Sequence, residues 1–285
     1  MNQSCRYIRE SLSAFFSKGE ISQLTERIIC HVCRLQSARF LSRKDIQLSE
    51  NERQQIDRII ARLKKNEPLQ YILGETEFYG LPIKVEPHVL IPRPETEELT
   101  EWTVENEKTN TEDFKHLRIL DIGTGSGCIA VAVAKHLSGA TVFGLDISKE
   151  ALEIAEINGR YNRVAIQWIR EDILHDFSGN IPKALDIIIS NPPYIRPSEK
   201  TGMGKNVLDY EPHQALFVPE NRPLLFYERI AETGIRTLKP GGRLYFEINA
   251  AFGNDIRNML EEKGYGSIQL KQDISGKDRM IKAIL

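Results

Sequence analysis

From Leu117 onward, short apolar runs recur with helix-patterned stretches between them, and this alternation constrains the fold more than any other feature. The runs are LRILDIG, TVFGLDI, VAIQWIRED, ALDIIISN and RLYFEIN. Helical stretches are expected over 128–137, 149–161 and 223–238, between most of them. Near-continuous apolar strands joined through helices predict a parallel sheet covered on both faces. The tail differs: residues 268–271 and 279–285 are separated only by QDISGKD, which predicts a closing antiparallel pair. There is no internal repeat and no low-complexity segment.

The first of these strands runs into Gly123-Thr124-Gly125-Ser126-Gly127, a glycine turn ahead of a helix. Glycines let a ligand approach the backbone, and a helix N-terminus offers unpaired N–H donors. A dinucleotide site prefers G-x-G-x-x-G around a pyrophosphate. Here the spacing is G-x-G-x-G, and Asp121 stands just before the turn. A carboxylate there repels a pyrophosphate but suits an amino group, which fits the amino-acid end of S-adenosylmethionine. Asp146, followed by Ile147, ends the next strand, where a carboxylate can bind ribose hydroxyls. Asp172 ends the third strand and could accept from an adenine amino group while Ile173 packs on the ring.

The strand DIIIS leads into Asn191-Pro192-Pro193-Tyr194. Ligands of open α/β sheets bind at strand carboxyl ends, so this motif is expected to face the same crevice. Two prolines stiffen the loop and remove two amide donors. The Pro192 carbonyl and the Asn191 side-chain oxygen are then two convergent acceptors, which suits a planar NH₂ group. Tyr194 offers a face on which an amide or base can stack. Holding both N–H bonds aims the nitrogen lone pair at a methyl sulfonium, so transfer becomes a matter of proximity and orientation. The long polar loop 195–222 follows directly and is expected to cover the site and help grip the substrate.

Residues 1–73 read as helices only. Tyr7, Leu12, Phe15 and Phe16 form one apolar pattern that Gly19 would close as a C-cap. Leu24, Ile28, Ile29 and Val32 form a second. Ser49 to Glu52 is a capping box opening a helix striped by Ile56, Ile59, Ile60 and Leu63, with Pro68 as its stop. Residues 75–95 read as a β-hairpin linker around Gly80-Leu81-Pro82. The expected domains are thus 1–74, 75–95 and 96–285. Cys30-His31-Val32-Cys33 lacks a second Cys/His pair for zinc and a βαβ context for redox chemistry, so it reads as part of a buried helix face.

Charge divides along the same boundary. Residues 1–74 hold 13 Lys+Arg against 8 Asp+Glu, a net +5. The remainder holds 25 against 32, a net −7, within a whole-chain charge of −2. That balance argues against a large phosphate footprint on the catalytic part, and so against DNA as substrate. No apolar run suits a membrane span and the first residues lack a secretion-signal pattern, so a cytoplasmic protein with reduced thiols is expected.

DIGTGSG, LDIS, NPPY, EPHQAL and FEI, in this order, resemble SAM-dependent amino-group methyltransferases. With LIPRPETE, SGKDRMI and the helical N-terminal part, the chain resembles the HemK-type family, the peptide chain release factor glutamine methyltransferases. The resemblance implies a class I SAM-dependent methyltransferase fold: α/β, Rossmann-like, with a mostly parallel seven-stranded sheet, an antiparallel C-terminal hairpin and a small N-terminal helical bundle. It implies S-adenosylmethionine as cofactor and, as substrate, the glutamine of the Gly-Gly-Gln motif in class I release factors. By the same resemblance Asn191 and Pro192 bind the amide, with Pro193 completing the motif, and Tyr194 stacks on it. Gly123 to Gly127 hold the cofactor, Asp146 its ribose, and Ile173 packs near its adenine. Asn249 stands where family members often carry glycine, with little effect expected on the chemistry.

Three other readings compete. A sibling enzyme would methylate a ribosomal-protein glutamine or the amino group of an RNA or DNA base; the basic N-terminal part leaves ribosome proximity open. A non-catalytic binding module should have lost part of NPPY or of the glycine turn, and both are intact. A nicotinamide dehydrogenase is disfavoured by the glycine spacing. Nothing in the chain requires more than a monomer.

Overall fold

The computed structural model describes residues 3–35, 40, 47–110, 113–175 and 179–285. They fall into two compact units: Met1–Gly74 with Lys205–Tyr210, and Glu75–Gly204 with Glu211–Leu285.

The smaller unit contains the helices Gln3–Leu12, Lys18–Val32, Glu50–Leu63 and Leu69–Leu73. Their apolar stripes meet in a core that includes Ile8, Leu12, Ile28, Ile56 and Ile60. Capping boxes open both longer helices, Ser17 with Glu20 and Ser49 with Glu52. Each box satisfies orphan amides at a helix start, where no intrahelical acceptor exists. The first box corrects the reading of Gly19 as a C-cap. Gly19 lies in the first turn of Lys18–Val32, because the Ser17–Glu20 bonds fix the start of that helix ahead of it. Tyr7 and Phe15 stand half exposed at 50% and 53%, off the core stripe. The Tyr7 hydroxyl donates to Asp57 Oδ1 at 2.7 Å, and Lys64 lies over the Phe15 ring. Pro68 is not the stop of Glu50–Leu63; it precedes Leu69–Leu73 as its N-cap. Lys205–Tyr210 belongs to this unit, and its Tyr210 hydroxyl donates to Lys65 O at 2.8 Å.

The larger unit begins with a hairpin of β1 (Glu75–Phe78) and β2 (Leu81–Lys84). The hairpin was expected as a linker, yet it clusters with this unit. Asn158 explains why: its side chain accepts from Lys84 N at 2.7 Å and donates to Lys84 O at 2.9 Å. Asn162 Nδ2 adds a bond to Pro82 O at 2.9 Å. The helix Pro94–Asn110 runs across the expected boundary at 95. Its buried face is mostly polar, with Thr96, Thr100, Thr103 and Glu107 beside Leu99 and Val104, so no apolar stripe announces it. Thr100 and Thr103 hydroxyls donate to carbonyls one turn back, which makes their burial tolerable.

Seven strands then form one sheet among the described residues: β3 (Arg118–Ile122), β4 (Thr141–Asp146), β5 (Ile166–Arg170), β6 (Leu185–Ser190), β7 (Leu238–Glu247), β8 (Gly266–Gln272) and β9 (Asp278–Ile284). Their order is β5-β4-β3-β6-β7-β9-β8, and only β9 opposes its neighbours. This is the mostly parallel sheet with a C-terminal antiparallel hairpin that the sequence implied. Leu120, Ile122, Leu145, Ile188 and Phe246 contribute to its core cluster. The connections reverse direction between β3 and β6, so a crevice opens outside the carboxyl ends of these two strands.

Candidate active site

The chain leaves β3 through Gly123, Gly125 and Gly127, at φ +71°, +54° and +78°. At Gly127 a Cβ would lie 2.9 Å from Ala155 Cβ and 3.0 Å from Trp168 Cη2. Positive φ and close packing therefore both require glycine there. Gly123 N and Thr124 N donate to Leu145 O at 2.8 and 2.9 Å, which pins the turn to β4. Asp146 ends β4, and its carboxylate accepts from Gly125 N at 2.8 Å and Ser148 N at 3.0 Å. Burial raises its pKa against the pull of these bonds.

Asp121 is fully buried below the turn. Its Oδ2 accepts from Thr124 Oγ1 at 2.5 Å and Ala130 N at 3.2 Å. Its Oδ1 has no partner among the described residues. Burial pushes the carboxyl pKa up to about 7, against the Thr124 and Ala130 bonds. A buried carboxylate oxygen without a donor is costly, and a cationic amino group would supply one.

A cavity of about 350 Å³ opens over the turn. Gly123, Gly125, Asp146, Ile147, Asp172 and Ile173 form one part of its wall, and Asn191 and Pro193 another. Two groups of residues that β6 separates in the sequence thus share one space. Asp121, Thr124, Ser126 and Gly127 lie under the wall instead of on it. Asp172 stands two residues past β5, where Oδ1 accepts from Leu174 N at 2.9 Å. Arg229 Nε donates to Ile173 O at 3.0 Å and holds that turn in place. The wall's acids Asp146 and Asp172, its glycine backbone and apolar Ile147 and Ile173 together fit S-adenosylmethionine, with the unpaired Asp121 Oδ1 buried beneath the turn.

The end of β6 is fixed by Ser190 Oγ, which donates to Ile122 O at 2.7 Å. Asn191 follows, and its Nδ2 donates to Thr96 Oγ1 at 2.9 Å. Thr96 Oγ1 donates to Glu247 Oε2 at 2.6 Å, and the Tyr194 hydroxyl donates to Glu247 Oε1 at 2.9 Å. Glu247 is buried, which raises its pKa, while Thr96, Tyr194 and Arg279 favour its charge. Pro192 is buried, and among the described residues no donor reaches its carbonyl. Tyr194 packs against the sheet core and is not part of the cavity wall. Asn249 Nδ2 lies within hydrogen-bond distance of Tyr194 O at 3.3 Å and Glu199 Oε1 at 3.2 Å. The residue expected to have little effect thus braces the motif.

Sequence reasoning missed part of the wall. His88 and Leu90 enter it from the segment after the hairpin, Pro212 and Gln214 from the loop after NPPY, and Phe226 from the next helix. Glu211 joins the first two segments: it accepts from Arg93 Nη2 at 2.6 Å and from Ile91 N at 3.3 Å. The signal was present in LIPRPETE and EPHQAL, whose Arg93 and Glu211 form an ion pair. The loop 195–222 is itself ordered into short helices at Lys205–Leu208 and His213–Leu216. Ile195 N donates to Leu216 O and Val218 N to Ile195 O, both at 3.0 Å, which ties its two ends together.

Comparison with known proteins shows the family and the fold. A family model described as "Methyltransferase small domain" matches residues 104–210, and one described as "PrmC N-terminal domain" matches residues 10–74. The "Release factor glutamine methyltransferase" of Bacteroides thetaiotaomicron is 45% identical over 99% of this chain and 99% of its own. The protein of the same description from Flavobacterium psychrophilum is 44% identical over 96% and 95%. A crystal structure of a methyltransferase from Pyrococcus furiosus covers 83% of this chain and 98% of its own at 20% identity, with a TM-score of 0.52, a likeness of fold.

Proposed function

This chain belongs to the release factor glutamine methyltransferase family, and we propose that Asn191 and Pro192 present the substrate amide to the cofactor in the cavity beside them. The chain is a SAM-dependent methyltransferase acting on a release-factor glutamine. As a finer reading, that glutamine is the one in the Gly-Gly-Gln motif of class I release factors. The observation that carries the proposal is that one cavity takes in Gly123, Gly125 and Asp146 together with Asn191.

S-adenosylmethionine, when bound, supplies a methyl group on a positively charged sulfur. Asp121 would hold its amino group, Asp146 its ribose hydroxyls, and Asp172 with Ile173 its adenine; Gly123 to Gly127 and Ile147 supply backbone approach and apolar wall. Asn191 Oδ1 and Pro192 O accept the two N–H bonds of the glutamine amide. Held at both bonds, the nitrogen is drawn out of conjugation and its lone pair takes one direction. No strong base is needed beforehand, because the nitrogen becomes acidic only once it carries positive charge. Tyr194 stiffens this corner through Glu247, and Pro193 closes it.

The basic helical unit is the docking element for the protein substrate in this reading, with ribosome proximity a further part of it. The protein works as a cytoplasmic monomer; among the described residues no helix is long and apolar enough to cross a membrane. The test mixes the protein with isotope-labelled S-adenosylmethionine and a purified class I release factor. Peptide mass spectrometry is expected to find one added methyl on the Gly-Gly-Gln glutamine. Label on a ribosomal-protein glutamine or on nucleic acid instead would overturn the substrate assignment.

A further inference from the structure

The hydrogen bonds behind Asn191 have a direction. A hydroxyl carries one proton, and Glu247 accepts hydrogen bonds from the hydroxyls of both Thr96 and Tyr194. The Thr96 proton is therefore committed to Glu247, at 2.6 Å, and only lone pairs of Thr96 face Asn191, at 2.9 Å. An asparagine amide can present either end, but toward a lone pair it must present N–H. Thr96 is 3% exposed and Glu247 1%, so water does not compete for these bonds. The carboxylate's second oxygen is occupied by the Tyr194 hydroxyl.

We propose that Thr96 and Glu247 are positioning residues that fix the amide orientation of Asn191, so that its Oδ1 faces the cavity as an acceptor. The inference rests on the reading of Asn191 as a holder of the substrate amide, and extends it to two residues that do not touch the substrate. It also accounts for selection of an NH₂ group. A glutamate side chain in place of glutamine would bring acceptors against acceptors, whereas a primary amide brings two donors. Thr96 and Glu247 are brought to Asn191 from 95 and 56 positions away in the chain, so no local spacing reveals them.

The experiment compares Thr96→Val, Thr96→Ser, Glu247→Gln and Asn191→Ala in the full chain with purified release factor. It measures kcat, KM for the protein substrate, and the Kd of S-adenosylmethionine by calorimetry. Thr96→Val releases the asparagine amide and is expected to lower kcat roughly 10- to 100-fold, the range of an unsatisfied or misdirected buried polar group. The Kd for S-adenosylmethionine should stay within about threefold, since tenfold would mean ~1.4 kcal/mol lost at the cofactor itself. Thr96→Ser restores most of the lost turnover. Glu247→Gln can donate to Thr96, turning the Thr96 proton toward Asn191, and is expected to reproduce the loss. In the double variant with Asn191→Ala, Thr96→Val adds little, because it acts through that residue.

Unchanged turnover in Thr96→Val, full additivity with Asn191→Ala, or failure of serine to restore activity would each overturn the proposal. If Thr96→Val does not fold, Glu247→Gln decides by the same criteria. If Asn191→Ala itself keeps normal turnover, the parent reading of Asn191 fails as well, and that outcome is distinct from failure of the Thr96–Glu247 device alone.

Discussion

Asp121 is a buried carboxyl whose ionised form is costly to the fold. Its pKa is about 7 in the folded chain, against the ordinary aspartate value of 3.8. A raised folded pKa means that the folded state holds its proton while the unfolded chain loses it. Stability therefore falls as pH rises from about 4 toward 7, and the loss is complete above 7. Asp121→Asn is expected to raise the melting temperature above pH 7, and less at pH 5, while weakening S-adenosylmethionine binding. Thermal melts at pH 5 and pH 8 with calorimetric titration check both; an equal melting shift at the two pH values would argue against the titration. Asn191→Ala should show the opposite division, with turnover falling steeply and cofactor affinity near that of the parent. Asp146→Ala should weaken cofactor binding first, because its carboxylate is on the cavity wall and also holds Gly125 N.

Elements in this protein are joined by a few side chains at narrow places. Trp168 on β5 is one: a Cβ at Gly127 would lie 3.0 Å from its ring, and one at Gly144 would lie 2.4 Å away. The glycines make a slot for the indole, which holds the turn, β4 and β5 in register. Gly144→Ala is expected to destabilise the larger unit by about 1–3 kcal/mol, through overpacking against the Trp168 ring. Asn158 is another, since one amide binds the backbone N–H and C=O of Lys84 and also Ser126 O at 2.8 Å. Asn158→Ala leaves several buried polar groups unpaired and should cost about 3 kcal/mol. Chemical denaturation with hydrogen exchange at Lys84 tests it; a protected Lys84 amide in the variant would show that the hairpin is held by other means.

At the scale of the whole molecule, charge divides between the two parts of the chain. The helical unit is positive and the catalytic part negative, and all the proposed chemical residues are in the latter. The helix Glu50–Leu63 carries Arg53, Arg58 and Arg62, but the three are not equivalent. Arg62 is engaged by Glu67 and by Ile72 O, so reversing its charge would also disturb the bundle. Arg53→Glu with Arg58→Glu is the cleaner change. It is expected to raise KM for the release factor several-fold at low salt, with KM for S-adenosylmethionine unchanged and the effect fading as salt screens it. A rise in both constants would point to damage of the fold.

The sequence alone determined the alternation of strands and helices, the glycine turn, the acids at strand ends and the NPPY corner. Each depends on a few adjacent residues, and local pattern is where hydrophobic period, turn chemistry and capping are written. Even there, local signals competed: the Ser17–Glu20 box outweighed a glycine that read as a stop. Only the tertiary structure decided that the hairpin belongs to the larger unit, because Asn158 is polar and distant from Lys84 in the chain. It alone revealed the helix Pro94–Asn110, whose buried face is made largely of threonines, and with it Thr96. It alone set Thr96, Asn191 and Glu247 in one directed line. Those residues come from three separate elements, and the proton order that joins them is a property of their contact, not of any one segment.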